Sequence, residues 1–209
     1  MGRYTGPKCR RCRRLAMKLY LKGDRCYSDK CPIKGDYIKS PGEPPKRWFG
    51  GESSYGIQLR EKQRVKTIYG LREKQFRNLF ERALKVKGGI TGEELLKFLE
   101  KRLDNVVYRL GFTTSRNQAR QVIRHRHIRV NGKKVDIPSY EVSVGDVISI
   151  DEKSKNLSLF TTALAHEVEV KEWLSLDREK MEGKVVGEPT RADIEYPIKE
   201  NLIVELYSK

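Results

Sequence analysis

Four cysteines fall within the first 31 residues, at Cys9, Cys12, Cys26 and Cys31, in the spacing C-x2-C-x13-C-x4-C. Two close pairs separated by a loop can bring four sulfurs around one tetrahedral ion, which is the ligand set of a structural Zn2+ site. Seven nearby cations, Lys8, Arg10, Arg11, Arg13, Arg14, Arg25 and Lys30, are expected to lower the thiol pKa values and to offset the charge of a zinc tetrathiolate. Two disulfides are the alternative pairing, but nothing else in the chain looks secreted, and zinc is the expected state. Four thiolates close the coordination sphere, so the ion is structural and carries no catalysis.

A second group of residues has the chemistry to grip phosphate. Arg116, Arg120 and Arg124 stand at i, i+4 and i+8 of a segment that Ser115 and Gln118 open as a capping box. The spacing predicts one basic ridge on a helix running to about Arg126, with Ala119, Val122 and Ile123 facing inward. Like charges at that spacing repel, so the ridge makes sense where phosphates neutralise it. The helix feeds Ile128-Arg129-Val130, then the type I′ turn signal Asn131-Gly132, then Lys133-Lys134-Val135. Gly145-Asp146 turns the chain into the short alternating strand Val147–Ile150.

The elements that must position these groups are partly visible. Phe76, Leu79, Phe80, Ala83 and Leu84 share one helical face between Leu71 and Val86, and Gly88-Gly89 stops that helix. Thr91 and Glu94 cap a second helix, whose apolar face runs through Leu95, Leu96, Leu99, Leu103, Val106, Val107 and Leu110 to a stop at Gly111. These two helices are expected to pair antiparallel as core. Ser40–Tyr55, rich in Pro, Gly and Ser, reads as a connector with Trp48 and Phe49 beside Lys46 and Arg47. Beyond Asp151, the positions Leu157, Leu159, Phe160, Leu164 and Val168 suggest a helix packing on that pair. Trp173-Leu174 should fill a core gap, and Leu202-Ile203-Val204 reads as a short strand or an extended arm.

The chain has 209 residues, with 44 Lys and Arg against 28 Asp and Glu, a net charge of +16. Its longest uncharged stretch near apolar residues, 156–165, is ten residues, half a bilayer span. No apolar run follows Met1, so no secretory signal is expected. Charge is lopsided: residues 1–80 carry 21 basic and 7 acidic side chains, whereas 151–209 carry 9 and 13. That asymmetry points to an intracellular protein with a polyanionic partner, nucleic acid above all.

Residues 102–112 (RLDNVVYRLGF), 115–135 (SRNQARQVIRHRHIRVNGKKV) and 144–150 (VGDVISI) resemble the S-four RNA-binding module, which occurs in a ribosomal protein, pseudouridine synthases and tyrosyl-tRNA synthetases. The likeness extends to YGIQLREKQ (55–63), IYGLREKQFRNLF (68–80), TGEELLKFLEKRLDNVVYRLGF (91–112) and NLIVELYSK (201–209), which look like the bacterial uS-four ribosomal family over nearly its whole length. GRYTGPKCRRCRR and CYSDKC look like its zinc-bearing form.

The resemblance implies an α+β, mostly helical fold. Its expected parts are a zinc-binding basic segment (1–50), a helical domain (51–101), an inserted S-four module (102–163) and a C-terminal segment packing on the helical domain (164–209). It implies a primary binder of small-subunit ribosomal RNA that nucleates assembly, touches the neighbouring S-five protein in an interface tied to accuracy, and lies near the messenger entrance. Some members of the family repress their own operon. The RNA-facing candidates it carries over are Arg3, Lys8, Arg10, Arg11, Arg13, Arg14, Lys46, Arg47, Arg60, Lys62, Arg64, Arg72 and Arg77, then Arg116, Arg120, Arg124, Arg129, Lys133 and Lys134 in the module. Where many members read PGQHG and a basic run, this chain has PGEPPKRWFGG, leaving only Lys46 and Arg47. The departure bears on messenger unwinding, not on rRNA binding.

An enzyme is the rival. Arg102-Leu103-Asp104 matches the RLD around a pseudouridine synthase's catalytic Asp, but it lies inside a leucine-rich helix with no room outside the module for a catalytic domain. Asp104 is expected to be structural. A zinc-bearing DNA regulator would want a recognition helix and dimer symmetry, and neither is evident. About 30 residues cannot hold themselves together by burial, so the metal is expected to supply on the order of 10–16 kcal/mol of folding free energy to the N-terminal segment. A chelator should therefore collapse the amide dispersion of residues 1–40 while leaving the remainder folded; dispersion that survives zinc removal would contradict this.

Overall fold

The computed structural model describes residues 2, 4–33, 41–42, 53–166 and 168–208. Arg3, Lys46 and Arg47, with Trp48 and Phe49, lie outside the described residues. The described chain holds eight α-helices: α1 Lys8–Arg14, α2 Ser54–Ile68, α3 Glu73–Leu84, α4 Thr91–Glu100, α5 Leu103–Arg109, α6 Arg116–Arg124, α7 Ser158–Ala165 and α8 Glu200–Tyr207. Its five strands are β1 Ile128–Val130, β2 Lys133–Lys134, β3 Val147–Ile150, β4 Leu174–Asp177 and β5 Glu182–Val185. None of the helices is long and apolar enough to cross a membrane.

The chain divides into two compact units, Met1–Gly92 with Tyr196–Lys209, and Glu93–Glu195. These limits differ from the four segments expected. The stretch after 163 does not stay together: β4 and β5 join the sheet of the second unit, and only the last residues belong with α2 and α3.

In the first unit Ser53 caps α2, its Oγ accepting from Gly56 N–H at 3.1 Å. Phe76, Phe80 and Ala83 bury the inner face of α3 as the spacing predicts, but Leu84 ends the helix exposed. Leu202–Val204 is neither strand nor arm. It lies in α8, which packs along α2 with Ile203 buried, Gln58 Nε2 donating to Glu205 at 2.8 Å, and the Tyr207 ring 4.5 Å from Phe80. An apolar run this short does not declare its period; the groove beside α2 decides it.

The second unit is built on a fully antiparallel sheet in the order β2-β1-β3-β5-β4. Asn131 and Gly132, at φ 49° and 75°, form the expected hairpin turn. Strands β4 and β5 were not legible in the sequence, because Glu182, Lys184 and Ser175 break any apolar run there. Gly183 is what lets β5 in: a β-carbon on it would stand 2.4 Å from Leu110 Cδ1. Beneath the sheet lies the core of Val106, Val107, Leu110, Phe112, Ile123, Ile128, Ile148, Ile150 and Phe160, with Trp173 and Leu174 filling it as anticipated.

The helix expected from Thr91 to Leu110 is broken. Arg102 is extended (φ −69°, ψ 135°) and bridges Glu141, while Leu103 and Asp104 donate their amides to Tyr140 and Pro138. A strand-like crossing takes over those backbone bonds, so the apolar face continues while the helix does not. At the break Asp104 is buried, bound by Arg102 at 3.1 and 2.7 Å, with Arg120 Nη1 at 3.5 Å. Asp104 is thus structural, as expected.

Removing one charge of a buried pair costs about 3–5 kcal/mol, because its partner stays desolvated. Asp104→Asn, which leaves two buried guanidiniums facing a neutral amide, should lower the unfolding free energy in urea by a margin of that order and bring the midpoint down with it. Arg77→Ala, which cuts only the exposed pair with Glu81, should cost under about 1 kcal/mol. Equal midpoints would deny the cluster its structural role.

Candidate nucleic-acid interface

Helices α1 and α2 of the first unit flank an open cleft of about 780 Å³. Arg10, Arg11, Arg14 and Arg60 line it with Tyr4, Gln63 and Thr67, and no carboxylate is among the described lining residues. Helix α1 places Arg10 and Arg14 one turn apart and exposed. Arg11 Cζ stands 3.8 Å over the centre of the Tyr4 ring, and its guanidinium donates to Thr67 Oγ1 at 3.3 Å. Lys8 is tied to the Tyr4 carbonyl at 2.6 Å. Tyr4, missed in the sequence, thus orders Lys8 and the cleft's Arg11; its only signal was its place in GRYTGPKCRRCRR. Four guanidiniums around a concave wall can bridge several phosphate oxygens at once, since each planar fork takes two.

Lys62 and Arg64, two other candidates of this unit, are engaged inside the protein. Lys62 is only 9% exposed, with its ammonium 2.7 Å from Glu73 and 5.2 Å from the Tyr207 ring centre, so it is a structural cation and not a surface contact. Burial alone would push Glu73 up, but hydrogen bonds from Lys62 and Lys66 outweigh it and bring its pKa to about 2. Arg64 is half-buried on Glu61 at 2.8 Å and the Leu15 carbonyl at 3.4 Å. Arg13 is half-buried; Arg72 and Arg77 are exposed, the latter paired with Glu81 at 3.0 Å.

In the second unit the three-arginine ridge does not stand free. Ser115 caps α6, its Oγ accepting from Gln118 N–H at 3.4 Å, while Gln118 reaches back to Thr114. From that start Arg116 is half-buried, its Nε donating to Asn105 at 2.8 Å and its guanidinium 4.4 Å over Tyr108. Arg120 is 7% exposed in the Asp104 cluster. Only Arg124 is exposed. The spacing was right about the shared face, but that face is partly covered by α5, which a single helix pattern does not reveal. The repulsion expected along the ridge is met from within by Asp104.

The hairpin offers Arg129, Lys133 and Lys134. Arg129 and Lys134 pair across β1 and β2, and both reach the buried Asp151 carboxylate, at 2.6 and 3.1 Å. Those two hydrogen bonds, Arg129's first, hold Asp151 below the usual carboxylate range. Lys133 is exposed. The wall left for a ligand is therefore Arg124, Lys133 and the outer edges of Arg129 and Lys134.

All four cysteine sulfurs are free of disulfides and line one small cavity of about 10 Å³, room for a single ion or water. Amides from Leu19 and Lys22 donate to the sulfurs of Cys12 and Cys26, the latter at 3.3 Å. The thiols of Cys12 and Cys26 are pushed up, not down. Burial is the largest cause, and the neighbouring sulfurs add to it; the cation acting on Cys26 is Lys18, outside the seven expected. Among the described residues no three His, Cys, Asp or Glu side chains stand ready to hold a metal, so the sulfurs would have to draw together around one. The donor set itself suits zinc.

A capped helix running into a cationic antiparallel hairpin, and an arginine-lined cleft, are features suited to an RNA-binding protein. Residues 3–100 match the family model "Ribosomal protein S4/S9 N-terminal domain", and 101–148 match the "S4 domain" model. The chain is 56% identical to the small ribosomal subunit protein uS4 of Thermoanaerobacter sp. (strain X514), over all of both chains. It is 54% identical to that of Clostridium beijerinckii and 56% identical to that of Desulforapulum autotrophicum, again over the whole of each. It belongs to the uS4 family of small-subunit ribosomal proteins. That family is structural, and the chain is not an enzyme.

Each phosphate contact releases counterions and steepens the salt dependence by roughly 0.9 in log–log slope. The double variant Arg10→Ala with Arg14→Ala should flatten the slope of RNA binding by roughly 2, and Lys62→Met should leave it where it was. The reverse pattern would remove the cleft from the interface.

Proposed function

We propose that the protein is a structural constituent of the small ribosomal subunit, a primary binder of small-subunit (16S) rRNA that nucleates assembly of the subunit body. In this reading it works in the cytoplasm, within the ribosome, and contributes to translational accuracy beside the neighbouring S-five protein. The observation that carries the proposal is the arginine cleft between α1 and α2, free of carboxylates among its described lining residues, in a chain matched from end to end by uS4 relatives.

Folded RNA hides its bases in a narrow major groove, so a binder reads phosphate positions and junction shape. Rigid placement of the forks then decides affinity. Cys9, Cys12, Cys26 and Cys31 would hold one structural Zn2+, which would tie α1 and its arginines to the stretch that carries Cys26 and Cys31. A contact with messenger RNA would fall to the 41–51 loop, most of which, with Lys46 and Arg47, lies outside the described residues.

Binding of the full chain to a small-subunit rRNA fragment, measured across a salt series with zinc and after chelation, tests this. Tight binding at low salt that falls steeply with ionic strength, and weakens when zinc is stripped, is the expected result. Indifference to the fragment at low salt would overturn the rRNA proposal, and equal affinity without zinc would overturn the metal's part in it.

A further inference from the structure

Arg126 sits at φ 64°, in the left-handed region. It follows the last turn of α6: its amide donates to Ile123 O at 2.9 Å, and the His127 amide to Val122 O at 3.0 Å. These are the paired bonds of a Schellman stop, whose left-handed position is ordinarily glycine. A β-carbon held there costs roughly five- to thirtyfold in the ratio of folded to unfolded chain.

What the side chain gains inside the protein is small. It is 68% exposed, and its ion pair, with Asp136 at 3.5 Å, is exposed on both sides. Such pairs contribute little. A strained residue with so little internal compensation points to a role outside the fold. Its surroundings say which: Arg124 is exposed and donates to the Asp136 carbonyl at 3.3 Å, His125 is exposed, and Lys133 and Lys134 of β2 precede Asp136 by only two or three residues.

We infer that Arg126 is a phosphate-contacting residue of the RNA interface, with Asp136 gathering it and Arg124 side by side where the helix meets the hairpin. The inference rests on the rRNA-binding function proposed above. It restores to the module a second exposed arginine in place of buried Arg120.

The test uses the full-length chain and a small-subunit rRNA fragment. Arg126→Gly relieves the backbone and deletes the charge, so two readouts should move in opposite directions. The melting temperature should rise by about 2–4 °C. Affinity at moderate salt should fall roughly three- to tenfold, with the salt slope shallower by roughly 0.9. Arg126→Lys, which keeps both strain and charge, should hold the wild-type melting temperature and slope. Unchanged affinity and slope in Arg126→Gly would overturn the inference while leaving rRNA binding intact. A lowered melting temperature would also overturn it, because the residue would then be kept for Asp136. If the wild-type chain itself ignores the fragment, the function and the inference fall together.

Discussion

In this chain of net charge +16, carboxylates stand where buried cations crowd. Asp104 is the central instance: nearly out of water, it meets Arg102 and Arg120 at the break between α4 and α5. The same device recurs. Glu100 accepts from Asn105 and Arg109, Asp151 holds Arg129 and Lys134, Glu61 takes Arg64, and Glu73 takes Lys62 and Lys66. Each of these carboxylates, buried except for Glu73, fixes the angle of its partners and so determines which cations are left facing outward. The interface is in this sense the remainder of an internal neutralisation. At the cleft between α1 and α2 the described lining residues include four arginines and no carboxylate.

Features fixed by local chemistry were legible in the sequence. The Asn131-Gly132 turn, the Ser115 cap, the inner face of α3 and the filling of the core by Trp173 and Leu174 each follow from a few adjacent residues. Features fixed by distant partners were not. The break at Arg102 is imposed by Glu141 and Tyr140, some forty residues on, while the apolar pattern runs on undisturbed. Strands β4 and β5 exist because a sheet edge waits for them, and α8 is helical because α2 offers a face.

The same division runs through the candidate contacts. Periodicity put Arg116, Arg120 and Arg124 on one face, but it cannot say that α5 covers part of that face. Charge counting likewise could not separate Lys62, spent on Glu73, from Arg14, exposed at the cleft. Around the cysteines, the number of nearby cations was a poor guide to the thiols: burial and mutual repulsion dominate, and the one cation that matters for Cys26 is Lys18.

The first unit is made of two stretches of chain, 1–92 and 196–209, whereas the second is continuous. During synthesis the sheet unit can therefore close as soon as its own hundred or so residues emerge. Helix α2, with Gln58 awaiting Glu205, and helix α3, with Phe80 awaiting Tyr207, stay unfinished until α8 has been made. A transcript that met the nascent polypeptide early would find the hairpin wall built before the arginine cleft had settled, which gives the two surfaces a fixed temporal order in any encounter that begins on the synthesising machine.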